Sequence, residues 1–254
     1  MSILEVSNLK KVYVTRFGGN KVEALTDVNF TVEQGEYVAI MGESGSGKTT
    51  LLNLIAALDR PSSGSIFLDD VALETRKDSA LAAFRRDHLG FVFQEFNLLD
   101  TFTVYDNICL PLVLCNRPYS EIQSRVETLA AQLGISALLK RYPYEISGGQ
   151  KQRAAVARAM INGPRLLLAD EPTGALDSKA SDELLRLFAS VNEAGQSILM
   201  VTHSVKAAST ASRVLFIKDG EVFHQLYRGG ASEREFYQAI SDTLTMLTTG
   251  GGKQ

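Results

Sequence analysis

The run GESGSGKT, Gly42–Thr49, carries the clearest chemistry in this sequence of 254 residues. Its glycines let a backbone fold tightly around an anion with its N–H groups pointing inward, and Lys48 adds a full positive charge. The strand-like EYVAI precedes the run and the helix-like TTLLNLIAALD follows it, so the positive end of a helix faces the same anion. In that arrangement Gly42, Glu43, Ser44, Gly45, Ser46, Gly47, Lys48, Thr49 and Thr50 form a cradle for a nucleoside triphosphate. Lys48 would reach the β and γ phosphates, and the Thr49 hydroxyl would ligate Mg2+.

A magnesium site of this kind needs a carboxylate, and RLLLADEP supplies one at the end of a short apolar run. Asp170 is placed to hold Mg2+ through water. Glu171, one position further, can polarise the attacking water and is the candidate general base.

Together with ISGGQKQR at Ile146–Arg153, these motifs resemble those of the ATPase subunits of ABC transporters, and the resemblance covers essentially the whole chain. Two departures are mild: Ile146 stands where Leu is commoner, and Ala175 where Ser is frequent. By itself SGGQ also reads as a helix start, with Ser147 as N-cap and Gln150 in the capping-box position. The resemblance implies that Ser147, Gly148, Gly149 and Gln150 complete the ATP site of a second copy. It gives Gln94, in FVFQEF, the role of sensing Mg2+ and water. His203, in LMVTHS, becomes the switch residue that contacts the γ phosphate and supports Glu171. Tyr13 matches the aromatic that stacks on adenine, and Asp177 the loop where two copies meet. The implied catalytic set is Glu171, His203, Lys48 and Gln94; Thr49, Gln94 and Asp170 hold the metal. His88 and His224 match no such position.

The elements that must position these residues follow an α/β pattern. Strand-like segments fill Ile3–Ile40, with turns expected at Gly18–Gly19 and Gln34–Gly35, and a further hairpin is expected at SSGSIFLDD with Gly64 in its turn. The helix after the phosphate loop is expected to end near Asp59–Pro61. A helix over Asp78–Arg86 and a strand in LGFVF lead to Gln94. Residues 97–144 then read as a helical insert broken by Pro111, Pro118 and Gly134. From Ser147 strands and helices alternate again, with an Asp219–Gly220 turn, and residues 232–254 give a short helix followed by a frayed TTGGGKQ tail. The expected fold is an α/β P-loop NTPase of ABC type: one domain over 1–254, a mixed parallel sheet core, an antiparallel β layer and the helical insert.

Composition excludes several other classes. A formal net charge of -3 provides no global field for nucleic acid, and the basic residues of the ISGGQKQR region are interspersed with acidic ones. Cys109 and Cys115 have no ligand-like spacing and are expected as free thiols in a reducing compartment. No window approaches ~18 consecutive apolar residues, and the N-terminus lacks the pattern of a signal peptide. The implied location is the cytoplasmic face of the cell membrane, reached through an integral membrane permease.

Within the family, QEFNLLDTFTVYDNICLPL and FIKDGEVFHQLYRGG are similar to bacterial ATPases whose permeases carry a large extracytoplasmic domain. The HQLYRGG segment with a further helix is most similar to the antimicrobial-peptide resistance members, which act on bacitracin-like peptides and signal to a sensor histidine kinase. Lipoprotein release, macrolide export and nutrient import are the alternatives that the ATPase sequence leaves open.

Overall fold

The computed structural model describes residues 1–14, 19 and 21–249, which fall into two compact units: Met1–Glu74 with Leu199 onward, and Thr75–Ile198. The Gly18 half of the expected first turn and the tail from residue 250 lie outside the described residues.

The first unit begins with β1 (Ser2–Val14) and β2 (Lys21–Glu33), paired antiparallel from Ser2↔Glu33 to Val14↔Lys21. Next come β3 (Tyr37–Met41), α1 (Lys48–Ile55), β4 (Ser63–Leu68) and β5 (Val71–Ala72). Every residue of β3 is buried, as a short continuous apolar run predicts for a strand covered on both faces. Gly64 sits in β4, not in a turn: with φ +85, its missing Cβ would fall 2.2 Å from Asn8 O on β1. The turn from β4 to β5 is made instead by Asp69 and Asp70, at φ 51 and 60. Helix α1 stops at Ile55, earlier than expected, because Ala57 takes φ 52 and the amides of Leu58 and Asp59 fold back onto Asn53 O.

The second unit contains α2 (Asp78–His88), then β6 (Leu89–Val92) paired parallel with β7 (Leu166–Asp170). Between those strands lie α3 (Val104–Leu114), α4 (Tyr119–Gln132), two 3-10 turns and α5 (Gly148–Met160); α6 (Ser178–Glu193) follows. Thr103 and Asp106 form a reciprocal capping box at the start of α3. Pro111 does not break α3. It deletes one backbone donor, while Ile108 and Leu112 on either side are fully buried and hold the helix together.

After β8 (Ser197–Val201), in which the division between the units falls, the chain returns to the first unit through α7 (Val205–Ser209), β9 (Arg213–Lys218), β10 (Glu221–Tyr227) and α8 (Glu233–Thr249). Asp219 and Gly220, at φ 51 and 79, form the two-residue turn between β9 and β10 whose twist suits a hairpin. Strand β9 pairs parallel with β3, and β10 meets β2 at Glu221↔Asp27, joining the antiparallel strands of this unit to its parallel ones by their edges. Phe236 and Ile240 anchor α8, which packs on α7 and reaches Thr249, two residues into the segment expected to fray.

Candidate nucleotide site

The first unit builds a phosphate cradle from Gly42 to Thr49. Gly42 has no room for a side chain, since a Cβ would lie 2.3 Å from Ile217 O. Gly47 is equally confined, 2.4 Å from Ala24 O, and its φ of 98 makes it a left-handed N-cap with no side-chain capping bond. The first turn of α1 thus has no capping acceptor at Gly47 and no acidic residue, although helix starts favour both. It carries Lys48 instead, whose ammonium donates to Gly42 O at 2.8 Å and Glu43 O at 2.7 Å. The Ser46 hydroxyl is buried without a hydrogen-bond partner among the described residues. A helix start rich in N–H donors, a lysine and an unsatisfied buried hydroxyl together fit a polyphosphate. A cavity of about 380 Å³ opens along this loop, walled by Gly42–Ser46, by residues of β9 and its turn, and by Leu244 of α8.

Tyr13 lies near the end of β1, 42% exposed, with its hydroxyl donating to Asp59 Oδ2 at 2.9 Å. Burial first, and then this hydrogen bond, push its phenol above the usual range. His203 is exposed and follows Thr202, whose amide donates to Ile40 O at 3.0 Å on the strand that leads into the cradle. The Thr202 hydroxyl in turn accepts from Ser204 N, fixing the backbone around His203.

The second unit gathers the remaining candidates. Ser147 caps α5: its Oγ accepts from Gln150 N at 3.3 Å, while Ser147 N donates to Gln150 Oε1 at 2.9 Å. The capping box is therefore real, and it fixes Gly148 and Gly149 in the first turn. Phe96 and Leu176 stand in ordinary contact range of a Cβ on Gly148, whereas one on Gly149 would press on Ala180 at 2.9 Å. Ser147, Gly149, Gln150 and Ala180 border a second cavity, of about 370 Å³, with Asp177 and Lys179. Asp177 caps α6 by accepting from Ala180 N at 2.8 Å. Gln94 packs on Gly174, where a Cβ would come within 2.9 Å of its Nε2. Asp170 ends β7, and Glu171 immediately after it holds φ at 45, a left-handed conformation uncommon for a residue with a side chain.

Three positioning features are invisible in the motifs. Gln152, fully buried in α5, donates to Phe93 O at 3.1 Å and Pro172 O at 2.9 Å, the neighbours of Gln94 and Glu171. Arg158, further along the same helix, donates to Phe96 O at 3.0 Å and also to Asn97 O, tying the helix to the loop after Gln94. Burial lowers its pKa from the ordinary guanidinium value. Lys11, nearly buried, is paired with Asp59 at 2.7 Å. A polar residue at a buried strand or helix position was the available signal for Gln152 and Lys11.

Thr49 and Asp170 offer hydroxyl and carboxylate oxygens and Gln94 an amide oxygen, the hard donors that suit Mg2+. Among the described residues no three His, Cys, Asp or Glu side chains group as a metal cluster. Cys109 and Cys115 are free.

A fold with this cradle and capped glycine helix defines an ATP-binding cassette. The ABC transporter family model matches residues 25–174. An uncharacterized ABC transporter ATP-binding protein of Bacillus subtilis, YvcR, is 48% identical over 97% of this chain and 95% of its own. The bacitracin export ATP-binding protein BceA of Halalkalibacterium halodurans is 48% identical over 100% of this chain and 99% of its own. Among solved structures, the dimeric bacterial ABC transporter cassette MJ0796 superimposes with a TM-score of 0.81 at 38% identity, covering 89% of this chain and 99% of that one. A post-hydrolysis dimer of the same cassette, bound to ADP and Pi, matches equally. The chain belongs to the ABC transporter family, as an ATP-binding subunit and an ATPase coupled to transport.

Proposed function

We propose that this chain powers an antimicrobial-peptide resistance transporter by hydrolysing ATP as a head-to-tail pair. The observation that carries this reading is the 48% identity to a bacitracin export ATPase over the full length of both chains. Similarity to macrolide export proteins of Neisseria is lower, 40%, and spans 87% of this chain and 34% of theirs. Self-association has its support in the dimeric cassette that shares the fold.

In this reading Tyr13 stacks on adenine and Gly42–Thr50 hold the phosphates, with Lys48 neutralising the β and γ groups. Thr49, Gln94 and Asp170 would hold Mg2+, which would supply charge neutralisation at the phosphates. Glu171 accepts the proton of the attacking water, and His203 supports it at the γ phosphate. The second copy supplies Ser147, Gly148, Gly149 and Gln150, whose backbone and hydroxyl reach the same phosphate. Catalysis is mainly placement and electrostatics, so assembly of the pair controls turnover.

Among the described residues no helix is long and apolar enough to cross a membrane, and in this reading turnover is coupled to a membrane permease. Tyr119, Tyr144 and Leu114 in the helical stretch between β6 and β7 are more than half exposed and offer it an apolar docking surface. The chain then resides at the cytoplasmic face of the membrane. A permease that also contacts a sensor histidine kinase would link turnover to signalling.

The test is to tag the chain in its native cell, extract the membrane gently and identify the integral protein that copurifies. A ten-helix permease with a large extracytoplasmic domain, and bacitracin sensitivity on deletion of this chain, are expected. Paired permeases with a substrate-binding lipoprotein would overturn the reading in favour of import.

A further inference from the structure

We propose that Lys11 and Asp59 are positioning residues that hold Tyr13 as a platform for the nucleotide base. The proposal rests on the reading of Tyr13 as the adenine-stacking residue.

Lys11 and Tyr13 are two residues apart on β1, so their side chains leave the same face of the strand. That places the Lys11 ammonium 4.7 Å from the centroid of the Tyr13 ring. The ammonium is itself fixed, donating to Asp59 Oδ1 and to Arg60 O, both at 2.7 Å. The other carboxylate oxygen, Oδ2, accepts from the Tyr13 hydroxyl at 2.9 Å, closing a ring of three side chains. Burial alone would raise the Asp59 carboxyl, but Lys11, the Arg60 amide and the Tyr13 hydroxyl together hold it below its ordinary value, so it is a carboxylate.

Two consequences favour base binding. The phenol is held at both its face and its tip, so less side-chain freedom is lost when a base stacks on it. A cation against one face of an aromatic ring also draws π density away from the other, easing the face-to-face repulsion with a second π system. Asp59 comes just after α1, whose other end is the phosphate cradle. One short segment therefore sets both where the phosphates lie and where the base plane stands.

The experiment compares the full chain's affinity for a nonhydrolysable ATP analogue and for tripolyphosphate, which has the phosphates but no base. Lys11→Met, Asp59→Asn and Tyr13→Phe are each expected to weaken the analogue roughly threefold to tenfold and leave tripolyphosphate unchanged, with Lys11→Arg restoring affinity. Equal weakening of both ligands would show a general structural role and overturn the proposal. So would unchanged analogue binding in these variants alongside a loss of about tenfold or more in Tyr13→Ala. Tyr13→Ala with unaltered analogue affinity would instead remove the platform reading itself. Tyr13→Phe keeps the ring and the Lys11–Asp59 pair, so it decides the matter if Asp59→Asn does not fold.

Discussion

The ammonium of Lys48 bridges two carbonyls of its own loop, Gly42 O at 2.8 Å and Glu43 O at 2.7 Å. A cation in the first turn of a helix opposes the helix dipole, so the arrangement suits an anion that Lys48 can then neutralise. Lys48→Met keeps the aliphatic stem and removes the charge. Phosphate release is expected to fall at least about a hundredfold, while the melting temperature shifts by only a few degrees. A steady-state assay beside a thermal melt checks both.

Glu171 pairs a catalytic assignment with a left-handed backbone, φ 45. Glu171→Gln preserves shape but cannot accept a proton, so ATP binding should persist and Mg-ATP should trap a dimer visible by light scattering. Turnover should nearly vanish. Glu171→Gly should abolish turnover as well, yet be more stable than Glu171→Ala by about 1 kcal/mol, because only glycine adopts that φ at little cost. Substantial hydrolysis by Glu171→Gln would end its assignment as the base.

Contiguous chemistry was legible in the sequence; distant side-chain support was not. GESGSGKT, SGGQ and DEP each sit within one turn or strand end, and the short apolar runs and helical patterns around them place β3, β7, α5 and the start of α1 correctly. Gln152 was not, because its partners are 59 and 20 residues away and only the fold brings them to its amide. The Lys11–Asp59 pair, 48 residues apart, is hidden for the same reason. Gly64 was misplaced because a glycine required by close approach to Asn8 looks identical, in sequence, to one required by a turn.

The two glycines at 42 and 45 should respond differently to a methyl group. At Gly42 a Cβ meets Ile217 O at 2.3 Å and Ser46 Oγ at 2.7 Å, so Gly42→Ala must shift backbone and should cost about 1–3 kcal/mol. At Gly45 nothing lies within 4 Å and the penalty comes from φ +81 alone, about 1–2 kcal/mol. In urea melts Gly42→Ala should be the weaker protein, and a smaller residue at Ser46 should not rescue it, because the closer clash is with the Ile217 backbone.

Gln152 offers the sharpest separation of support from chemistry. Its amide holds Phe93 O and Pro172 O from within a helix, so one side chain sets the backbone before Gln94 and after Glu171. Gln152→Leu fills the volume but leaves two buried carbonyls without that donor, at about 1–3 kcal/mol for each. Turnover should fall as well, because a small displacement of a catalytic carboxylate is enough to slow a step that depends on placement. Gln152→Glu should be worse than Gln152→Leu, since it turns a carboxylate toward two carbonyl oxygens. Urea melts and phosphate release should therefore rank the three proteins in the same order. A Gln152→Glu variant as stable as wild type would show that the amide does not hold these loops.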